Sequence, residues 1–191
     1  QSALKLQNNT SDVDAYNTAV GFEAGKNVTT GISNTLIGGL AGDALTAGNY
    51  NIAIGYHALG AEDASSSNTA IGAFSLMTQD AGVDAFNTAV GYAAGYLTTT
   101  GVRNTLIGGN SGDALTTGSD NVAIGYGALT TEDAHGRNIA IGMNALATQN
   151  AGADAYNVAI GYTAGALVTT GINNTLIGGL VADSLTTGQY N

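Results

Sequence analysis

The sequence predicts an all-β fold: a β-solenoid, or parallel β-roll, in which each short unit makes one turn around a shared axis. Three observations predict it. An asparagine followed by a β-rich apolar triplet and a glycine recurs ten times. The copies lie 17 or 19 residues apart, too close for a helical-hairpin repeat, which needs about 34 residues. The composition is rich in Val, Ile, Leu, Ala and Thr, with 29 glycines and no proline, which argues against disorder and gives glycine a structural task.

The asparagines are Asn17, Asn34, Asn51, Asn68, Asn87, Asn104, Asn121, Asn138, Asn157 and Asn174. Their spacings run 17, 17, 17, 19 and then repeat, so four units form a super-repeat of 70 residues. Asn191 would open a further unit, and residues 1–16 align with 71–86 and 141–156. The expectation is a single repeat region over 1–191, with about eleven coils. At the usual strand spacing of about 4.8 Å these make a rod near 50 Å long. No stretch looks like the polar cap that solenoids need, so the chain reads as a segment of a longer fibrous protein.

Each coil can be read by position, with the opening Asn as position 0. Position +1 is Thr, Ile or Val, +2 is Ala or Leu, and +3 is Val or Ile, a β-favouring triplet. Position +4 is always glycine: Gly21, Gly38, Gly55, Gly72, Gly91, Gly108, Gly125, Gly142, Gly161 and Gly178. These read as corners where a positive φ or a close backbone excludes a Cβ. Small residues at +7 suit a narrow interior. A second strand of about five residues is expected near Leu45, Leu97, Leu115, Leu167 and Leu185, closed in many coils by Thr-Thr-Gly. The Asn column reads as a structural ladder in which side chains bond to their equivalents in the coils on either side.

Neighbouring strand residues face opposite sides, yet +2 and +3 are apolar in all ten copies. Two buried faces are implied: one column fills the roll, and the other meets another chain, as in a homotrimer. The rival is that +2 and +3 straddle a corner and both point inward.

Composition excludes several function classes. Four Lys and Arg against fourteen Asp and Glu, net charge −10, disfavour nucleic-acid binding. No apolar run approaches the roughly 20 residues of a membrane span. No cysteine is present, so there is no disulfide framework and no thiolate metal site.

The runs NTLIGGLAGDALTAGNYNIAIGYHAL and NTAVGYAAGYLTTTGVRNTLIGG resemble the repeats of phage tail-fibre proteins, which often precede a C-terminal self-cleaving intramolecular chaperone domain. They are similar in pattern to the NxAIG repeats in the heads of trimeric autotransporter adhesins, although those repeats are shorter. The resemblance covers essentially the whole chain. It implies a left-handed, trimeric shaft or head on a virion or a bacterial surface. Its partner would be itself, with a host glycan or receptor engaged through other parts of the protein.

No catalytic constellation stands out. No Ser, His and acid recur together, and no cofactor is implied. His57 and His135 are unrepeated and read as exposed chance substitutions. The patterned acids are Glu62 and Asp63, which recur as Glu132 and Asp133, with Asp80 over Asp63 and Asn150 over Asp133. Oxygens on adjacent rungs could hold Ca²⁺, but the preferred reading is a solvated acidic corner at the two-residue insertion, so no metal is assigned. Asp43, Asp113 and Asp183 read as turn caps. Phe22, Tyr56, Tyr92, Tyr126 and Tyr162 at +5 alternate with small residues and read as rings covering bare backbone, with sugar stacking as the lesser alternative.

Four functions compete. The leading one is a structural tail-fibre segment that presents a receptor-binding tip. The second is a bacterial adhesin head that binds host matrix or glycan. Ice binding draws on the Thr pairs 29–30, 99–100, 116–117, 169–170 and 186–187, but Asp63–Ala64 and Asp133–Ala134 interrupt that array. A carbohydrate-degrading fibre enzyme lacks a recurring pair of carboxylates.

Overall fold

A computed structural model describes residues 2–8 and 14–191. The expected repeat positions at residues 1 and 9–13 lie outside the described residues. Ten three-residue strands follow one another: β1 (Thr18–Val20), β2 (Thr35–Ile37), β3 (Ile52–Ile54), β4 (Thr69–Ile71), β5 (Thr88–Val90), β6 (Thr105–Ile107), β7 (Val122–Ile124), β8 (Ile139–Ile141), β9 (Val158–Ile160) and β10 (Thr175–Ile177). They form one parallel sheet in sequence order. The register is the same at each step: Ala19 faces Leu36, Leu36 faces Ala53, and Val20, Ile37 and Ile54 are successive rungs. The fold is therefore an all-β parallel β-solenoid of about nine turns between ten strands, with no helix among the described residues. The count of eleven coils took the ten units opened from Asn17 to Asn174 together with the one begun at Asn191. Residues before Asn17 do stack on the first coil, where the Leu4 amide donates to Ala24 O at 3.0 Å.

The second strand does not form among the described residues. Leu45 and Leu115 are buried, whereas Leu97 and Leu167 point outward. Backbone conformation explains this. Three positions per coil are left-handed: −1, +6 and +8. Several hold residues that rarely adopt it, such as Phe74 (φ 62°), Thr163 (φ 51°), Leu59 (φ 53°) and Tyr50 (φ 57°). The left-handed residue at +8 opens a turn through the segment where the strand was expected: Leu45 N donates to Gly42 O at 3.2 Å and Thr98 N to Gly95 O at 3.0 Å. The strain is offset because the left-handed amides still pair between coils: Leu40 N donates to Phe22 O at 2.8 Å, and Phe74 N to Tyr56 O at 2.9 Å.

The core is one file of side chains along the axis. Position +2 points inward: Leu36, Ala53, Ala70, Ala89 and Leu106 are fully buried. Position +3 points outward, so the rival in which both point inward is overturned. Large and small residues alternate to fill the file. Where +2 is Leu36 or Leu106, +8 is Gly42 or Gly112. Where +2 is Ala53 or Ala70, +8 is Leu59 or Leu76. A Cβ on Gly112 would lie 2.7 Å from Leu106 Cδ2.

The +4 glycines are required twice over. Gly125 has φ +129°, and a Cβ there would sit 2.6 Å from Gly142 O in the next coil. Gly178 keeps φ +134°.

Candidate functional site

Three surfaces have features that packing alone does not require: the outer sheet face, an aromatic pocket and two acidic corners. Numbering coils by their opening asparagine, coil 1 starts at Asn17, coil 3 at Asn51, coil 4 at Asn68 and coil 7 at Asn121.

The outer face is formed by positions +1, +3 and +5. None of the thirty residues there is charged. Ile37 and Ile107 are 36% and 38% exposed, and the +5 rings Tyr92 and Tyr126 are 61% and 59% exposed. Ten rungs at about 4.8 Å, each about five residues wide at about 3.3 Å, give an apolar strip of roughly 700 Å². Monomers rarely expose more than about 300–600 Å² in one patch, and a standard interface takes about 800 Å² per partner. Charge is kept to the flank, where Arg103 bridges to Asp120 on the next coil with Nε–Oδ1 at 2.6 Å. That hydrogen bond holds the Asp120 carboxyl below its usual range. The expected ring-over-glycine packing is present: Tyr126 Cδ2 lies 3.4 Å from where a Gly109 Cβ would be.

The aromatics cluster at one place. Phe74 meets Tyr56, Tyr92 and Tyr96 edge-on, with centroids 5.4, 5.9 and 6.4 Å apart. A shallow cavity of about 340 Å³ opens there, lined by Phe74, Tyr92, Ala93, Tyr96, Asn110 and Asp113. Asp113 accepts a very short hydrogen bond from Thr130, so it links coils rather than capping a turn.

The asparagine column is a continuous hydrogen-bond chain in which the amide-to-amide bonds expected from sequence occur at two steps, Asn34 Nδ2 to Asn17 Oδ1 at 3.2 Å and Asn191 Nδ2 to Asn174 Oδ1 at 2.9 Å, and side-chain-to-backbone bonds carry the rest. Each Oδ1 accepts the backbone N–H of the next Asn: Asn34 to Asn17 at 2.8 Å, Asn51 to Asn34 at 2.9 Å, Asn104 to Asn87 at 2.8 Å. In the 17-residue coils Nδ2 closes its own coil by donating to the carbonyl fourteen residues on, as Asn104 does to Gly118 at 2.8 Å, whereas Asn138, in a 19-residue coil, donates to Gly136 O at 3.4 Å. Asn68, in a 19-residue coil, has no partner for Nδ2. Gln79 joins the column instead, accepting from Asn87 Nδ2 at 2.7 Å, and Gln149 does the same for Asn157. The first threonine of four of the five pairs is likewise used between coils, as Thr99 Oγ1 donates to Thr116 O at 3.1 Å. The second threonines of these pairs, such as Thr30, Thr100 and Thr170, are exposed.

The acidic corners differ from the solvated corner expected. Glu62 and Glu132 are 0% exposed, at the core position +11 that Leu45 and Leu115 fill elsewhere. Glu62 Oε1 accepts the Ser65 amide at 2.6 Å, and Glu132 Oε1 the His135 amide at 3.1 Å. Neither Oε2 has a donor. Burial pushes both carboxyls up, the amide bonds opposing it. Asp63, Asp80 and Asp133 are exposed. Oxygens of Glu62, Asp63 and Asp80 lie within 4.8 Å of one another, as do ligand atoms of Glu132, Asp133 and His135. The histidines are not free surface residues. His135 Nδ1 lies 3.6 Å from Glu132 Oε1, and His57 lies between Tyr56 and Phe74, with Nδ1 3.8 Å from Asp43. Sequence reasoning missed both placements because neither histidine repeats.

Fold and surface together define a parallel β-solenoid repeat protein. Comparison with models of protein families, with curated proteins and with solved structures returned no match.

Proposed function

We propose that this chain is a stiff structural segment of a phage tail fibre, assembled as a homotrimer through its outer sheet face. The observation that carries the reading is the uncharged, half-exposed strip of +1, +3 and +5 residues along all ten coils. Apolar columns this long and regular are costly to leave in water. Three rolls around an axis would cover them, and the fibre would hold a receptor-binding tip away from the particle. The mechanism is mechanical, since each coil pairs only with its neighbours. On this reading the chain works on the virion, without catalysis or cofactor.

A second reading is a bacterial surface adhesin head. The pocket at Phe74, Tyr92 and Tyr96 favours it, because the exposed Tyr92 ring with the half-buried Phe74 and Tyr96, beside Asn110 and Asp113, offers a stacking platform with hydrogen-bonding groups for a sugar. Glycan binding lost on Tyr92→Ala would support the adhesin.

The assembly is tested by placing charge on the strip. Ile71→Glu with Ile124→Glu puts two carboxylates at outward +3 positions without touching the core. The particle should dissociate to folded monomers with an unchanged far-ultraviolet spectrum. An unchanged particle mass would refute assembly through this face.

A further inference from the structure

We infer that the corner formed by Glu62, Asp63 and Asp80, where coil 3 meets coil 4, is a Ca²⁺-binding site, with a related corner at Glu132, Asp133 and His135 one super-repeat further on. The inference does not rest on the assembly proposed above.

Two independent features carry it. The first is convergence. One oxygen from each of the three carboxylates lies within 4.8 Å of the other two. Ca²⁺ takes oxygen ligands at about 2.3–2.6 Å, so ligands on opposite sides of one ion stand up to about 5 Å apart. The second is the buried carboxylate. Glu62 is wholly removed from solvent, with Oε2 lacking any donor, although an unpaired buried charge is costly. The cost recurs: Glu132 sits 70 residues on with its Oε2 equally without a donor, and His135 Nδ1 beside it is also unpartnered. A leucine fills this core position in coil 2 and coil 6, at Leu45 and Leu115, so packing does not require an acid. A cation would neutralise Glu62 and relieve its repulsion with Asp80, which raises the Glu62 carboxyl further.

The 70-residue period also sets these corners apart from the rest of the solenoid. Outside coils 3 and 7 a glycine stands at +14, and in the 17-residue coils a Cβ there would meet the next coil's backbone: for Gly31 it would lie 2.5 Å from Gly48 O. Coils 3 and 7 precede the 19-residue coils, and there the position is Ser65 or His135. In the 19-residue coils the chain bulges outward, with Gly82 and Gly152 in open space. Asp80 stands at +12, in register with Asp63 on the preceding coil, and the insertion follows it, while Glu62 is buried beside them. In the second corner Asn150 replaces Asp80 and an imidazole joins the donors. Fewer carboxylates and a nitrogen ligand disfavour Ca²⁺ there.

The test is calorimetric titration of the chain, in its native assembly, with CaCl₂, paired with thermal unfolding in Ca²⁺ and in EDTA. The wild type should bind with Kd of about 10⁻⁴–10⁻³ M, the range of open extracellular modules. Its unfolding midpoint should rise by a few degrees at about 10 mM Ca²⁺. Asp63→Asn with Asp80→Asn, both at exposed positions, should lose the midpoint shift and weaken binding at least about tenfold. Glu62→Gln should lose the response while folding in EDTA. Absence of binding to the wild type overturns the proposal. So does an equal response in the double variant, which would mean diffuse association with an acidic surface. A Glu62→Gln protein that keeps its Ca²⁺ response also overturns it, since Glu62 would then be a neutral buried acid.

Discussion

A single asparagine carries two obligations in this molecule. In coil 6, Asn104 Oδ1 accepts the buried Asn121 amide at 3.0 Å, and its Nδ2 donates to Gly118 O at 2.8 Å. No other residue type of this size offers an acceptor and a donor in that arrangement. Asn104→Ala leaves two backbone groups unpaired in the interior, at roughly 1–3 kcal/mol each. Asn68 holds the same column position, but its Nδ2 has no partner, so Asn68→Ala removes only the acceptor for Asn87. Urea unfolding of the two variants should show Asn104→Ala losing the more stability; equal losses would mean that the Nδ2 bond contributes nothing. The sequence made the asparagines legible as a ladder, because they repeat in register. It did not reveal the bonding, because side-chain-to-side-chain and side-chain-to-backbone ladders require the same residue. The left-handed positions were hidden for a related reason: +6 holds Glu23, Leu40, His57, Phe74 and Thr163 among others, and no composition marks them.

At the scale of the element, the coil is defined by one three-residue strand and a chain of turns. The strand was legible in the triplet and the invariant glycine after it. The second strand was not a sound inference, because apolar residues at +10 and +11 were read as strand when only +11 faces inward. Coil length then governs its neighbour. Deleting Val83 and Asp84 would shorten coil 4 to the common length, with Gly82, already at +14, drawn in from the bulge. The Ser65 Cβ would then face the Gly82 carbonyl, the approach that glycine alone permits elsewhere. The deletion should therefore lower the melting temperature by several degrees, and adding Ser65→Gly should restore part of the loss. Calorimetry of both proteins decides this, and a deletion that is neutral by itself would contradict the account of the 70-residue period.

Across the whole molecule, two buried acids in one narrow core make stability depend on pH. Burial raises the folded carboxyls of Glu62 and Glu132 above the unfolded value near 4.3. The unfolded chain thus ionises first as pH rises, and protons favour the folded state. The contribution of these residues is fully present below the unfolded value and is lost as pH rises through the folded one. In EDTA, the melting temperature of wild type relative to Glu62→Gln/Glu132→Gln should fall across that window and then level off. A difference that grows with pH would contradict the placement of these acids. From sequence their charge signalled surface; only the coil register shows that they share a column with Leu45 and Leu115. The outward apolar columns were legible, since +2 and +3 are both apolar throughout and a two-sided strand must show one of them to the outside.

The central claim is that this outward strip is the surface through which copies of the chain assemble. Sedimentation equilibrium of the wild-type chain tests it most directly. The account predicts a particle of three times the 18.9 kDa chain that persists under dilution. A soluble, folded species of 18.9 kDa at micromolar concentration would contradict it.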